Sequence, residues 1–179
     1  FNTNDENMNF VYALSKLLKI SEKSFIKSMS SFLGLPHRYE IFLKKKGITF
    51  INDSKATSLQ ATKHALASSK NVYWILGGLP KDKDKIDLRF IKKNIIKSYI
   101  IGNHINFFKN QLKGKLNYCV CKNIKKTIVQ ILKDIKFLKT KKKTILLSPA
   151  AASFDQYPNF EKRGEEFKRL SKLYARKFL

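Results

Sequence analysis

Strand-like and helix-like patterns alternate strictly through the last two thirds of this chain. Short apolar runs mark the strands, and apolar residues at helical spacing mark the segments between them. The predicted helices are 58–69, 88–94, 104–112 and 124–138, and the predicted strands are 71–76, 98–101, 117–120 and 144–147. Because such a succession requires crossover connections, we predict an α/β fold with a mainly parallel sheet flanked by helices.

The first part of the chain is predicted to be helical. Residues 8–18 and 21–32 carry apolar side chains at helical spacing, and Gly34 ends the second helix. Because Pro36 cannot lie in a helix interior, a domain boundary is expected here. The two predicted domains are 1–33 and 34–179.

The pattern changes again after this boundary. Residues 39–45 alternate between apolar and polar, Gly47 provides a turn, and residues 48–52 are mostly apolar. This pattern predicts two neighbouring strands joined as a hairpin. At the other end of the chain, residues 159–178 place apolar side chains on one helical face, so a long terminal helix is expected against the sheet.

The length and composition fit a globular protein with a hydrophobic core. A chain of 179 residues buries roughly 70% of the surface that it exposes when unfolded. Its hydrophobic fraction is 43%, and no apolar run approaches the roughly 20 residues that span a bilayer. We therefore expect a soluble, cytoplasmic protein with no membrane partner. Phe1 stands first, without a secretion signal after it, and we expect the chain to be the tail of a longer polypeptide.

The net charge of +24 makes nucleic-acid binding an alternative function. Lys and Arg side chains that neutralise phosphates dominate such affinity. Here the charge is spread along the whole chain, Lys far outnumbers Arg, and no aromatic and basic stacking surface is evident. We therefore interpret most lysines as solvated side chains. A basic surface would still attract anionic nucleotides and amino-acid carboxylates.

The two cysteines, Cys119 and Cys121, stand two residues apart in a predicted strand. Side chains at this spacing point to the same face of a strand, so both thiols are expected on one side. No second pair of Cys or His residues stands at a spacing typical of a zinc site. We expect reduced, structural thiols and no metal site.

Four polar clusters fall at predicted strand ends or at the domain boundary. They are His37 with Arg38, residues 52–57, Gly77-Gly78 with Lys81, and residues 148–160. The carboxyl ends of parallel strands meet at one edge of a sheet, and ligands of open α/β sheets bind there. The sequence therefore predicts a binding site at this edge.

The chemistry of these clusters suits an anionic ligand. Asp53 is able to accept hydrogen bonds from ribose hydroxyls, and Lys55 is a compact cation for a carboxylate or phosphate. Thr57 and Ser153 add hydroxyl groups, and the start of the terminal helix presents free N–H groups. Structural alternatives remain open here: residues 52–54 as a helix cap, Gly77-Gly78 as an ordinary turn, and Asp155 with Gln156 as caps of a tight loop.

Three long motifs, in order along the chain, carry a resemblance to a known family. They are Gly34-Leu35-Pro36-His37-Arg38-Tyr39-Glu40, Asn52-Asp53-Ser54-Lys55-Ala56-Thr57, and Leu147-Ser148-Pro149-Ala150-Ala151-Ala152-Ser153-Phe154-Asp155-Gln156 followed by Asn159-Phe160-Glu161-Lys162-Arg163-Gly164. With them, nearly the whole chain resembles the C-terminal part of Mur ligases of peptidoglycan synthesis, in their D-glutamate-adding branch. The resemblance implies a Rossmann-like domain over 34–179, preceded by a helical remnant of a central ATPase domain over 1–33.

The resemblance also implies an activity. These ligases transfer the ATP γ-phosphate to the carboxylate of UDP-N-acetylmuramoyl-L-alanine, and the amine of D-glutamate then attacks the acyl phosphate. D-glutamate brings two carboxylates, so its pocket needs cations and N–H donors. By similarity, the D-glutamate pocket comprises Lys55, Thr57, Lys81, Ser153 and the backbone N–H of Phe160.

By the same resemblance, ATP meets Arg38 near its phosphates and Asp53 at its ribose. His37 belongs to the same motif as Arg38, without an assigned role. Asn4 and Asn7 match the asparagines at which the family's central domain meets the nucleotide, although Thr3 replaces the usual His before the first of them.

Two further expectations follow from the resemblance. The Mg²⁺ ligands belong to the part of the family upstream of these residues, so the chain is expected to be inactive alone, and we expect a monomer. The nearest alternative is a sister ligase that adds another amino acid, and the Asn-Asp-Ser-Lys-Ala-Thr motif favours D-glutamate.

Overall fold

The structure, a computed structural model, describes residues 5–32, 34–136 and 142–179. Its internal contacts divide the chain into two compact units, Phe1–Leu35 and Pro36–Leu179. This division lies beside the boundary expected near Gly34. The interpretation of the first unit as a remnant of an ATPase domain stays a prediction.

The first unit contains the two predicted helices, α1 (Asp5–Leu17) and α2 (Glu22–Ser31). Ser21 caps α2, since its hydroxyl oxygen accepts a hydrogen bond from the backbone N–H of Ser24 at 3.2 Å. The ring of Tyr12 packs edge-on against Phe25, with 5.2 Å between ring centroids. Among the described residues, none of the helices is long and apolar enough to cross a bilayer.

The second unit is built on a six-stranded sheet in the order β1-β2-β6-β3-β4-β5. Only β1 is antiparallel to its neighbour, and all other neighbouring pairs are parallel. The predicted α/β fold and the initial hairpin are therefore confirmed. The elements are β1 (Glu40–Lys45), β2 (Ile48–Asn52), α3 (Leu59–Ala67), β3 (Val72–Gly77), β4 (Ile95–Ile101), α4 (Ile105–Leu112), β5 (Tyr118–Lys122), α5 (Ile124–Ile135), β6 (Lys143–Leu147) and α6 (Phe160–Phe178).

The sheet is buried on both faces. Along β3, Tyr73 and Ile75 belong to a core that includes residues of α5 and α6, whereas Trp74 and Leu76 belong to a second core with α3 and α4. Because alternate side chains of a strand point to opposite faces, helices cover both sides of the sheet. This three-layer arrangement leaves the ends of the strands as the natural place for a site.

The predicted helix at 88–94 is wrong for most of its length. Only Lys92–Asn94 form a short 3₁₀ turn there. The carboxylate of Asp87 accepts hydrogen bonds from the backbone N–H and the guanidinium of Arg89, and the Lys92 N–H donates to the Leu88 carbonyl at 2.9 Å without the turn continuing as an α-helix. The apolar residues that suggested a helical face, Leu88 and Ile91, are instead buried in the second core.

Candidate functional site

The carboxyl ends of β2, β6 and β3 lie side by side and are joined by hydrogen bonds beyond the strands themselves. The N–H of Asp53 donates to Leu147 at 2.7 Å, and the N–H of Gly77 donates to Pro149 at 2.8 Å. The polar segments that follow these three strands therefore start from one edge of the sheet. The predicted convergence of strand ends is confirmed.

Lys55 lies where three of the sequence motifs meet. Its backbone N–H donates to the carbonyl of His37 at 3.0 Å, and its Nζ lies 4.1 Å from the centroid of the Phe160 ring. The hydroxyl of the neighbouring Ser54 donates to the Phe160 carbonyl at 2.8 Å. Phe160 is the first residue of α6, so its backbone N–H belongs to the turn that has no partner within the helix.

The segments of Lys81 and Ser153 are also brought together. Leu79 and Ala152 form a two-way backbone bridge, with N–H to carbonyl distances of 2.9 and 3.0 Å. Lys81, two residues after Leu79, is exposed, whereas Ser153 is only 2% exposed. The assignment of Lys55, Lys81 and Ser153 to D-glutamate stays a prediction, and the backbone places all three on segments of this edge.

The double glycine serves close packing. Gly77 and Gly78 have φ angles of 133° and 132°. Residues that carry a Cβ rarely adopt this backbone conformation. A Cβ on Gly77 would overlap the backbone of Ile101, and one on Gly78 would overlap the carbonyl of Ala152. The alternative of an ordinary turn is therefore wrong, because these glycines let β3 pass against two neighbouring segments.

Asp53 is a buried carboxylate with two neutral donors. Its Oδ2 accepts from the hydroxyl of Ser148 at 2.7 Å, and its Oδ1 accepts from the N–H of Tyr39 at 3.1 Å. Burial raises the pKa of Asp53 to about 6, against the lowering effects of these donors and of the nearby positive charge of Arg38. Arg38 itself is exposed. The predicted contact of these two residues with ATP stays a prediction.

His37 is a buried hydrogen-bond acceptor. The amide of Asn52 is oriented by the Ser54 N–H, which donates to its oxygen, so its nitrogen donates to Glu40 at 3.0 Å and to His37 Nδ1 at 2.9 Å. An accepting Nδ1 requires a neutral imidazole with its proton on Nε2. A Cβ at Gly164 would overlap this ring. His37 thus holds the first motif against β2 and α6.

Glu40 extends this network towards α6. Its Oε1 accepts from Nζ of Lys168 at 2.8 Å, and its Oε2 also accepts from the backbone N–H of His37. Partial burial alone would raise the pKa of Glu40, but the hydrogen bonds from Lys168, His37 and Asn52 hold it below its usual value. The carboxylate is therefore ionised at neutral pH and joins β1 to α6.

Arg163 is a central residue of the site for which the motif alone suggested no role. It is 1% exposed. Its Nε donates to the Ser54 hydroxyl at 3.1 Å, and its Nη2 donates to the carbonyls of Ser54 at 2.8 Å and Ala151 at 3.0 Å. Nη1 has no hydrogen-bond partner among the described residues. Burial lowers the pKa of Arg163 to about 10, while the negative charge of Asp155 raises it.

The remaining structural alternatives are also decided. Helix α3 is capped by the Ser58 hydroxyl, which accepts from Ala61, and by Asp84, which accepts from the N–H of Leu59 at 2.7 Å. Residues 52–54 are therefore not its cap. Asp155 accepts from the N–H of Asn103 at 2.8 Å, so it joins its loop to the end of β4 and does not cap that loop.

For three residues that are predicted to bind ATP or D-glutamate, the structure describes few or no side-chain contacts. Thr57 is half-buried directly before α3. Asn4 lies outside the described residues, and Asn7 lies on α1 in the first unit, with its side chain undescribed. Within the part of the chain that the structure describes, no group of three or more His, Cys, Asp or Glu side chains could hold a metal ion.

Comparison with known proteins identifies the relatives of this chain. No family model matches it. UDP-N-acetylmuramoylalanine–D-glutamate ligases match: that of Wolbachia sp. subsp. Brugia malayi is 40% identical over 169 residues, 94% of this chain and 34% of that protein. The enzyme of Cereibacter sphaeroides (strain ATCC 17025) is 37% identical, and the match covers 92% of this chain and 34% of that enzyme. The enzyme of Rickettsia felis is 34% identical, and the match covers 96% of this chain and 38% of that enzyme.

The chain thus spans about a third of the length of these relatives. A solved murein peptide ligase from Psychrobacter arcticus matches with a TM-score of 0.46 and 13% identity, covering 81% of this chain and 32% of that one, a likeness too weak to support an argument. The matches to several curated ligases lead to one conclusion: this chain is similar, over more than nine tenths of its length, to a C-terminal portion of UDP-N-acetylmuramoylalanine–D-glutamate ligases.

Proposed function

We propose that this chain is the amino-acid-binding part of an ATP-dependent ligase that joins D-glutamate to UDP-N-acetylmuramoyl-L-alanine in peptidoglycan precursor synthesis. One observation carries the proposal: Lys55 lies at the junction of the segments that contain His37 and Phe160, on the strand-end edge that also carries Lys81 and Ser153. The names of the relatives support the same substrate, and nothing in them favours a nucleic-acid-binding module.

D-glutamate carries two carboxylates and, once its ammonium group has lost a proton to solvent, a reactive amine, and the proposed pocket matches that chemistry. Lys55 and Lys81 supply positive charge for its carboxylates, Thr57 and Ser153 supply hydroxyl donors, and the N–H of Phe160 lies at the positive end of α6. Anchoring both carboxylates would orient the uncharged amine towards the acyl-phosphate carbonyl. The amide bond forms as phosphate leaves, and orientation of this kind supplies a large part of such a rate enhancement.

The same edge is proposed to meet the nucleotide. Arg38 would lie near the phosphates, and Asp53 would accept from the ribose hydroxyls. By resemblance, Asn4 and Asn7 are also proposed to bind ATP. The pKa of about 6 for Asp53 leaves this carboxylate mostly ionised at neutral pH, as an acceptor requires. Mg²⁺ is proposed to be held by a part of the ligase outside this chain, and a cytoplasmic location agrees with the use of ATP.

An amino-acid-dependent phosphate release assay tests the proposal. A complete ligase that carries this chain is supplied with ATP, Mg²⁺, UDP-N-acetylmuramoyl-L-alanine and one amino acid: D-glutamate, L-glutamate, D-aspartate or L-lysine. We expect phosphate release with D-glutamate alone. Release with a different amino acid would identify a sister ligase, and retardation of RNA or DNA at physiological salt without any ligase activity would favour the nucleic-acid alternative.

A further inference from the structure

Two thiols lie close together on the outermost strand of the sheet. Cys119 and Cys121 are on β5, which has only β4 as a neighbour. Their sulfur atoms are 3.8 Å apart, and neither cysteine is in a disulfide. The expectation that both thiols face the same side is confirmed. Cys121 also lies at an irregularity in the pairing of β5 with β4, where the strand departs from a regular ladder.

The number and type of ligands restrict what such a pair is able to hold. Structural zinc takes four ligands, usually Cys and His, and Ca²⁺ and Mg²⁺ take oxygen ligands. In the described parts of the chain, no third metal-binding side chain joins the two thiols. Soft thiolate ligands favour Cu(I), a monovalent ion that two sulfurs are able to coordinate. We propose that Cys119 and Cys121 form a two-thiolate site for Cu(I).

The distance between the sulfurs favours a metal over a disulfide. Two metal–sulfur bonds of about 2.3 Å in a line place the sulfurs about 4.6 Å apart, so they would separate by less than about 1 Å from their present positions. A disulfide requires the sulfurs to approach to about 2.05 Å, a movement of roughly 1.8 Å. The sulfur atoms therefore need to move less to bind a metal ion than to form a disulfide.

The surrounding charge also suits a two-thiolate complex. Both thiols release their protons to solvent when Cu(I) binds, and the product carries one net negative charge. The cysteines line an open cavity of about 870 Å³ together with Lys122, Lys125 and Lys126, and Glu166 is the one acidic residue in the described lining. The three lysines outnumber this carboxylate, so the local charge favours the anionic two-thiolate product.

An anaerobic competition titration tests the site. The intact, reduced chain is titrated with Cu(I) held by a chromophoric Cu(I) chelator, and the transferred metal is measured by the loss of chelate colour. We expect one Cu(I) per chain and a near-ultraviolet sulfur-to-metal absorbance. C119S and C121S should each lower the affinity by about 100-fold or more, because a single thiolate loses the advantage of a second linked ligand. V120S, which keeps both thiols, should bind as the parent chain does.

A second measurement needs no variant and therefore does not depend on how the variants fold. X-ray absorption of the Cu(I)-loaded parent chain should show two sulfur neighbours and no nitrogen or oxygen neighbour. The proposal is overturned by nitrogen or oxygen ligation, by unchanged affinity in both serine variants, or by equal competition from Zn²⁺. It goes beyond the ligase function, and phosphate release with D-glutamate is measured independently of it.

Discussion

The amino and carboxyl ends of the sheet both contain buried or half-buried ionisable side chains, and they compensate the charges in different ways. Near the amino end of β4, Lys97 Nζ lies 2.7 Å from Asp134, which also accepts from the Tyr99 hydroxyl at 2.7 Å. At the carboxyl end, the hydrogen bonds of Asp53 and Arg163 run to neutral groups. The contrast is therefore between Lys97 and Asp134, which form an ion pair, and Asp53 and Arg163, which hydrogen-bond to neutral groups, although Glu40 at the carboxyl end does form an ion pair with Lys168.

The difference separates the Lys97–Asp134 ion pair from the edge that is proposed to bind ligand. Burial raises the pKa of Asp134 less than hydrogen bonds from Lys97, Tyr99 and Gln130 lower it, so its net shift is downward. For Asp53 and Arg163, burial has the larger effect: it raises the pKa of Asp53 and lowers the pKa of Arg163. Uncompensated charge is costly in a folded chain, and a charged ligand is able to recover part of that cost.

The largest effect is expected for Arg163→Met. The variant leaves the carbonyls of Ser54 and Ala151 without their buried donor, and each orphaned acceptor costs about 1–3 kcal/mol. We expect the free energy of unfolding in urea to fall by about 2–4 kcal/mol. Lys97→Met is the matched control at the amino end, where Lys97 is 30% exposed, and a loss of at most about 1 kcal/mol is expected. Equal losses would remove the distinction between the two ends.

The two carboxylates should show opposite pH dependence. Because the folded pKa of Asp53 lies above its ordinary value of 3.8, the folded chain binds the proton more tightly than the unfolded chain. Its contribution to the free energy of unfolding therefore falls by up to about 3 kcal/mol as the pH rises from 4 to above 6.

Asp53→Asn removes this slope and should be more stable than the parent chain at pH 7.5. Asp134→Asn should be less stable there, because a carboxyl with a lowered pKa contributes stability that is lost only as the pH falls. The measurement is urea unfolding of both variants at a series of pH values. If both variants were more stable than the parent chain at pH 7.5, or both less stable, the environments of Asp53 and Asp134 would not differ as described.

Lys55→Ala tests whether the Lys55 ammonium acts on the substrate. Loss of a charge-assisted hydrogen bond to a carboxylate costs about 2–3 kcal/mol, or roughly 30- to 150-fold in kcat/KM for D-glutamate in the complete ligase. Lys97→Ala, which removes a lysine already paired with Asp134, should leave that ratio unchanged. An unaltered kcat/KM in the Lys55 variant would exclude its proposed role.

The smallest effect is expected for Ser153→Ala. Its hydroxyl is neutral, so its loss should cost about 1 kcal/mol, or about fivefold in kcat/KM for D-glutamate. Ser98→Ala provides the control, because the buried Ser98 hydroxyl has no hydrogen-bond partner among the described residues and lies on β4 away from this edge. A loss as large as that in Lys55→Ala would mean that Ser153 supports the loop as well as the ligand.

Most of the fold could be predicted from local patterns. Helical spacing identified α5 and α6, and apolar runs identified β3 and β6, because these segments bury a whole face or a whole strand. The same reasoning failed at Leu88 and Ile91, whose spacing suggested a helix. There, Leu88 and Ile91 are buried in the second core without an α-helix, and their spacing in the sequence could not show this.

The candidate site was predictable as a set of segments, and its supporting contacts were not. Strand-end positions and the motifs identified Lys55, Lys81 and Ser153. Arg163 and the Glu40–Lys168 pair were missed as supporting residues, because Arg163 meets Ser54 across 109 residues of chain and Lys168 meets Glu40 across 128. A helical Arg or Lys looks the same in sequence whether it faces water or a buried carbonyl.

The sequence by itself determined the alternation of strands and helices, the edge at which polar segments gather, and the resemblance to D-glutamate-adding ligases, because these depend on residue spacing and on local backbone preferences. Only the tertiary structure decided which charges are compensated. Desolvation and hydrogen bonding depend on distances between residues far apart in the chain, and they are what make Asp53 and Arg163 differ from Asp134 and Lys97.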